Sequence, residues 1–273
     1  MGIEGDIVYK DGLIEVIFTK SAFSPACAHP GGPDRGRYTD HIPDIVRNSN
    51  CSYLQTNEPY AAKLYPKYAR GETVAGIIGG GEPLLSFSMN EGVEKIVGID
   101  INPSQVALAM AKINLAYGCP ELSEAAGNLW SDGQNLKHTI ERYSEGYLKY
   151  HGHKPIFECL KRRLEAGNLE ITLIAGGFLE VIPLLEKNSD LYLSNLPDMV
   201  DIEPLEEATY RFLSNGNRII ACELCSDYYE GHVPEYMGRL ESRGTKTEQI
   251  EAFTKGRGDT LNEIIYVASG MTA

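Results

Sequence analysis

Residues 73–106 read TVAGIIGGGEPLLSFSMNEGVEKIVGIDINPSQV, and the succession of patterns within them decides the fold. TVAGIIG is short, apolar and closed by glycines, which predicts a strand buried on both faces of a parallel sheet. KIVGID, residues 95–100, predicts a second such strand, and PLLSFSMNEG between them has a short helical pattern. INPSQVALAMAKINLAYG then predicts a longer helix. Asn102 suits its N-cap, Pro103 its first position, and Gln105 completes a capping-box pattern. Val106, Met110, Ile113 and Leu115 supply one apolar face, and Gly118 ends the helix. Strand, helix, parallel strand and helix in direct succession form the unit of a doubly wound α/β sheet.

The alternation continues toward the C-terminus. LEITLIAGG is a third strand and FLEVIPLLEKN its helix; DLYLSNLPDM is a fourth strand with its terminal loop. EPLEEATYRFLSNG is the next helix, stopped by Gly216, and NRIIACEL is the fifth strand. TLNEIIYVASG is expected as a last strand, antiparallel and at the sheet edge. Residues 128–168 are helical but more polar, and read as an insertion that shapes a substrate pocket. Residues 1–70 break the pattern. A short strand from Leu13 to Thr19 precedes SPACAHPGGPDRGRYTD, which cannot continue a helix or a central strand. HIPDIVRNSN and EPYAAKLYPKYARG follow as short helices. Tyr38, Tyr53, Tyr60, Tyr65 and Tyr68 cluster there, and either pack this segment on the main domain or form a lid over a ligand. The expected organisation is an N-terminal lid over 1–70 and a ligand-binding α/β domain over 71–273.

The 273-residue chain sets 25 Lys and Arg against 38 Asp and Glu, a net charge of −13. Such a chain is a poor partner for nucleic acid or an anionic membrane, both of which need clustered cations. Its 42% hydrophobic content argues against general disorder. It has no run of the roughly 18 apolar residues that a spanning helix needs. MGIEGDIVYKDG lacks the basic-then-apolar order of a signal peptide, so the expected location is the cytoplasm. Cys27, Cys51, Cys119, Cys159, Cys222 and Cys225 are irregularly spaced and read as free thiols. Cys222 and Cys225 form one C-x-x-C, but no helix start follows it and no second pair is present for zinc. His151-Gly152-His153 has no carboxylate or Cys at ligand spacing, so no metal is expected.

In an open parallel sheet, ligands bind beyond the carboxyl ends of the strands, where the strand order switches. The loops after Ile78, Asp100, Ala175, Asn195 and Glu223 therefore matter most. Gly79, Gly80 and Gly81 let backbone approach a ligand closely. Asp100, 21 residues after Gly79, is able to accept from both hydroxyls of a ribose. Together they indicate a nucleoside. A dinucleotide site needs G-x-G-x-x-G, but Leu84 stands where the third glycine belongs. Glu82 at a helix start repels a diphosphate and welcomes an ammonium or sulfonium, which favours S-adenosylmethionine; its alternative role is to cap the helix dipole. In Asn195-Leu196-Pro197-Asp198, carbonyl groups are suited to receive an attacking amine. Asp198 either takes its proton or caps the helix that begins at IEPLEEA.

V-x-G-I-I-G-G-G-E-P followed by V-G-I-D-I-N-P-S-Q-V-A-L-A resembles class I S-adenosylmethionine-dependent transferases. Asp100, Asn102, Pro103 and Gln105, with Leu193, Ser194 and Asn195, resemble the BtaA-like family, which moves the 3-amino-3-carboxypropyl group of the cofactor. Gly-Glu-Pro-Leu-Leu-Ser is similar to the glycine loop of nicotianamine synthases, which do the same chemistry. The resemblance covers roughly residues 55 to 225 and lies in a few short stretches. It implies a Rossmann-like class I methyltransferase fold, with S-adenosylmethionine as substrate and no metal. It places Gly79, Gly80, Gly81, Glu82, Asp100, Ile101, Asn102, Gly177, Phe178, Ser194, Asn195 and Leu196 around the cofactor. Asn195, Asp198 and Glu82 are the implied catalytic groups. Methyltransferases usually carry an acid after their third strand. Here Ala175-Gly176-Gly177-Phe178 stands there, so that Phe178 either stacks on adenine or belongs to the core. The implied reaction releases methylthioadenosine. A membrane-facing run is absent, so the expected nucleophile is a small soluble amine, or the cofactor's own α-amine, which would yield azetidine-2-carboxylate. The alternatives are a small-molecule methyltransferase leaving adenosylhomocysteine and a binding module without turnover. A homodimer fits any of the three.

Overall fold

The computed structural model describes residues 7–8, 14–18, 58, 60–102, 105–106, 108–110, 112–113, 154–225, 231–253 and 262–270. Its strands are β1 (Ile7–Val8), β2 (Ile14–Phe18), β3 (Thr73–Ile77), β4 (Lys95–Asp100), β5 (Glu170–Ala175), β6 (Ser189–Ser194), β7 (Arg218–Cys225), β8 (Lys246–Phe253) and β9 (Asn262–Ser269). Among the described residues they form one sheet in the order β1-β2-β5-β4-β3-β6-β7-β9-β8. The run from β2 to β7 is parallel, whereas β1 pairs antiparallel with β2, and β9 pairs antiparallel with both β7 and β8. The part from β5 to β8 is the Rossmann-like class I methyltransferase sheet; β1 and β2 extend it beyond β5. The order reverses at β3, which lies between β4 and β6. The switch point therefore opens beyond the carboxyl ends of β3 and β6.

Alternating strand residues feed two cores. On one face Val74, Ile96, Ile171 and Tyr192 meet Leu84, Phe87, Met110, Leu160 and Leu164. On the other face Ala75, Val97, Leu191 and Ile219 meet Leu205, Phe212, Tyr236 and Leu240. Helix Lys154–Glu165 thus covers the first face, and helices Ile202–Ser214 and Val233–Ser242 cover the second. Arg163 on the first of these is buried and donates to the carbonyls of Ser88 (3.1 Å), Asn90 (2.8 Å) and Val93 (2.5 Å). One guanidinium thereby satisfies the turn that leads into β4.

Two expectations change. The last strand is antiparallel, but it is not the edge. β8 lies outside it, and its sequence KTEQIEAF is polar, as suits a strand that borders solvent. Helix Val233–Ser242, absent from the sequence-based outline, buries Val233, Tyr236, Met237 and Leu240 at helical spacing. Tyr38, Tyr53, His151, His153, Pro103, Leu115, Gly118, HIPDIVRNSN and residues 128–153 lie outside the described residues. So do Cys27, Cys51 and Cys119, while Cys222 is a buried free thiol and Cys159 a half-buried one.

Residues 60–70 lie against the first core as two 3-10 turns, with Tyr65 buried, Tyr68 half-buried and Tyr60 exposed. The Tyr65 ring lies 5.0 Å from Tyr192 and 5.9 Å from Phe87. Gly76 makes room for this group. A Cβ there would stand 2.7 Å from Tyr192 Cβ and 2.8 Å from its ring. Gly76→Ala is expected to cost about 2 kcal/mol of stability by overpacking, read from the urea midpoint at unchanged m. A neutral result would mean that the Tyr192 ring is not held against β3.

Candidate functional site

Four neighbouring strands, β5, β4, β3 and β6, end side by side and carry the expected site residues at their carboxyl ends. β3 runs into Gly79 (φ +47°) and Gly81 (φ +92°), left-handed conformations that glycine adopts without strain. The loop is pinned from several sides. Gly81 N donates to Ile78 O at 2.7 Å. Gly79 N donates to Asp100 Oδ2 at 3.2 Å, and the Gln105 amide donates to Gly79 O. Lys112 Nζ donates to Gly80 O. Gln105 and Lys112 are both helical residues, and between them they hold two successive carbonyls of the loop.

Asp100 ends β4 and is 8% exposed. Its Oδ1 accepts from Asn102 N at 2.9 Å. Burial pushes its pKa up to about 7, against the pull of the N–H bonds from Asn102 and Gly79. An ionised carboxylate offers about four acceptor positions, so these two bonds leave capacity for two hydroxyls. Ile101 and Asn102 follow, both half-buried. Beyond β5, Gly177 opens the short helix Phe178–Val181, and Phe178 is half-buried against the second core.

Glu82 is fully buried, and its Oε1 lies 2.7 Å from Nζ of the equally buried Lys112. The expected partner of Glu82 is a ligand ammonium; within the chain its carboxylate already has a cation. Lys112 was detectable in the sequence only as a charge three and four residues beyond Ala109 and Leu108, on a face otherwise apolar.

β6 carries an irregularity between Tyr192 and Ser194, and Ser194 takes a left-handed φ of +54°. Its hydroxyl donates to Glu58 Oε1 and lies 3.2 Å from Asn195 Oδ1. Asn195 opens the turn Leu196–Asp198, in which Leu196 is buried in the second core. Asp198 is 6% exposed, and its Oδ1 accepts from His232 N. It thus holds the start of helix Val233–Ser242, whereas the N-cap of the following helix, Ile202–Ser214, is Asp201. Gly231 packs on this carboxylate; a Cβ there would lie 3.1 Å from both oxygens.

Behind Ser194 lies a group that sequence reasoning misses. Glu58 is fully buried; its Oε2 accepts from Tyr65 OH and, at 2.8 Å, from Tyr192 OH. Burial raises its pKa, opposed by the hydrogen bonds from Ser194, Tyr65 and Tyr192. Glu263 on β9 accepts from Tyr60 N (3.0 Å) and Ala61 N (2.6 Å), and burial first, then the field of Glu58, holds its pKa at about 7. The signal present in the sequence was Tyr192 within the buried strand SDLYLS, since a buried phenol needs a partner. Among the described residues no group of three or more His, Cys, Asp or Glu is placed to hold a metal ion, and no helix is long and apolar enough to cross a membrane. An open groove of about 1080 Å³ lies at the opposite end of the sheet, lined by Glu72, Glu94, Lys95 and Glu170 among others.

No protein-family model and no curated protein sequence matches the chain. Among solved structures it is similar to a precorrin-6y C5,15-methyltransferase from Geobacter metallireducens GS-15, at 13% identity over 81% of this chain and 96% of that one, with a TM-score of 0.42. It is similar to an rRNA methylase from Streptococcus thermophilus at 12% identity, over 78% of this chain and 95% of that one, with a TM-score of 0.39. It is also similar to an O-methyltransferase from Bacillus cereus in complex with SAH at 10% identity, over 81% and 84% of the two chains, with a TM-score of 0.37. Likeness this distant assigns no substrate.

Proposed function

We propose that the chain is an S-adenosylmethionine-dependent transferase that moves the 3-amino-3-carboxypropyl group to a small amine and releases methylthioadenosine. The observation that carries the cofactor is Asp100 set against Gly79 N at the switch point: a glycine loop and a buried carboxylate, arranged for a nucleoside. The oxygens where β6 ends, Ser194 Oγ and Asn195 Oδ1, support an N–H nucleophile. The choice of carbon rests on the resemblance of Asp100-Ile101-Asn102-Pro103 and Leu193-Ser194-Asn195 to the aminocarboxypropyl group. One sulfonium offers several electrophilic carbons, and near-attack alignment is worth roughly 7–11 kcal/mol, so the carbon left unaligned reacts negligibly. The nucleophile is a small acceptor, or the cofactor's own α-amine closing a four-membered ring. No metal enters the proposed reaction.

Mass spectrometry of products from purified protein and cofactor, alone and with the common amino acids, tests this. Methylthioadenosine is expected, forming faster above neutral pH as the amine loses its proton. Stoichiometric adenosylhomocysteine would establish methyl transfer instead. Tight binding with neither product would establish a binding module.

A further inference from the structure

We infer that Ser194 and the buried Glu58 form a proton path that strips the incoming amine, with Ser194 touching the nucleophile and Glu58 acting through it. This rests on the proposed function only in requiring an N–H nucleophile; it holds whichever cofactor carbon is attacked.

The geometry supplies the argument. Ser194 is half-buried at the carboxyl end of β6, beside the switch point, while Glu58 is fully buried behind it. The Ser194 hydroxyl has one hydrogen, with Glu58 Oε1 as its nearer acceptor and Asn195 Oδ1 as its farther one. With that hydrogen given to the nearer acceptor, the lone pairs of Oγ act only as acceptors. Asn195 Oδ1, 3.2 Å away, is a second acceptor. Such a pair selects a donor, which an ammonium is and a thioether or carboxylate is not.

Asp198, the sequence-based candidate for the proton, is 6% exposed and accepts the His232 N–H. Glu58 is one hydroxyl away from the open end of the sheet. Its environment is built for one charge. Tyr65 and Tyr192 donate to Oε2, Ser194 donates to Oε1, and the Cys222 thiol and the Glu263 carboxylate lie in the same neighbourhood. Burial raises the affinity of Glu58 for a proton, while the three hydroxyls favour the carboxylate. The steps balance. The ammonium gives a proton to Ser194 Oγ as Ser194 gives its own to Glu58 Oε1. The freed lone pair then forms the N–C bond, and the C–S bonding pair leaves on sulfur as a neutral thioether.

The test uses the full chain and S-adenosylmethionine, alone and with the common amino acids. Glu58→Gln keeps the size and removes the base. It is expected to lose about 100-fold in kcat near pH 7, with cofactor Kd unchanged within about threefold. The loss should shrink above pH 8, where water frees the amine unaided, so the pH profile moves upward. Ser194→Ala, at a half-buried position, removes the connecting oxygen and should lose as much. The double variant should be no slower than either, since the two act as a unit. A folded Glu58→Gln protein with wild-type kcat and profile overturns the path, as does a loss confined to Kd or KM, or losses that add in the double variant. If Glu58→Gln does not fold, Ser194→Ala decides by its own profile. Wild-type protein that forms neither product defeats the proposed function and the path with it. Adenosylhomocysteine from wild type defeats only the choice of carbon, and the same variants still test the path.

Discussion

Lys112→Met is expected to lower the free energy of unfolding by about 3–5 kcal/mol. The side chain is fully buried, lies 2.7 Å from Glu82 Oε1 and donates to Gly80 O. Methionine matches its length but leaves the Glu82 carboxylate in the core without its cation, and removing one partner of a buried pair is the costly case. Adding Glu82→Gln removes the uncompensated charge, so the double variant should recover more than half of the loss. Urea unfolding of the wild type, the single variants and the double variant gives the coupling directly. The same set distinguishes two roles for Glu82. A glutamate serving chiefly as a ligand for the cofactor's ammonium would, as Glu82→Gln, weaken cofactor binding with little change in stability. A glutamate serving the loop would change stability, and would weaken binding only through the shape of Gly79–Gly81. A Lys112→Met protein within about 1 kcal/mol of wild type would remove the pair from the account of the loop.

The parts of this molecule that were legible in its sequence share a physical reason. β3, β4, β5 and β7 are covered on both faces, so each must read as an apolar run closed by glycine or a polar turn residue. The 21-residue interval from Gly79 to Asp100 is one helix and one parallel strand, and the register Ile77↔Ile99 then brings Asp100 to Gly79 N. Such adjacency follows from local pattern alone. β8 left no comparable trace, because an edge strand is free to be polar and KTEQIEAF carries three charges. Helix Val233–Ser242 did leave one, in the spacing of Val233, Tyr236, Met237 and Leu240, but it lies between polar stretches that mask its start. The charge partners were illegible for a different reason. Lys112 meets Glu82 across 30 residues and Ser194 meets Glu58 across 136. A buried charge is chosen to fit a packed neighbour, and no periodicity records which neighbour that is. Asp198 shows the converse. Its position in a loop after β6 reads equally well as a base and as a cap of the next helix, yet that cap is Asp201, and Asp198 bonds to His232 N, ahead of a helix whose start the sequence masks.

Asp100→Ala is expected to weaken cofactor binding by about 2–4 kcal/mol, roughly 30- to 900-fold, since it removes a charged acceptor from two hydroxyls. The carboxylate also makes binding depend on pH, with a sign that can be worked out. Burial holds its pKa at about 7, above the ordinary 3.8. In the ligand-free protein it is therefore largely protonated at pH 6. Stability due to this shift is fully present below the ordinary value and is lost as pH rises through about 7. Ribose hydroxyls donate to the ionised form and so favour it. Binding must then release a proton below pH 7, and affinity should rise with pH by up to tenfold per unit before levelling above about 7. Methylthioadenosine is the suitable probe, because it carries the ribose without an ammonium that titrates nearby. Glu263 also titrates near pH 7, but its carboxylate binds the backbone of Tyr60 and Ala61. Asp100→Asn separates the two. It keeps an acceptor and removes the charge, so its affinity should be lower and flat with pH, while Glu263 still titrates. Calorimetry in two buffers of different ionisation enthalpy counts the protons released. Unchanged affinity in folded Asp100→Ala, or a pH slope that survives in Asp100→Asn, would take the ribose away from Asp100 and the nucleoside away from this end of the sheet.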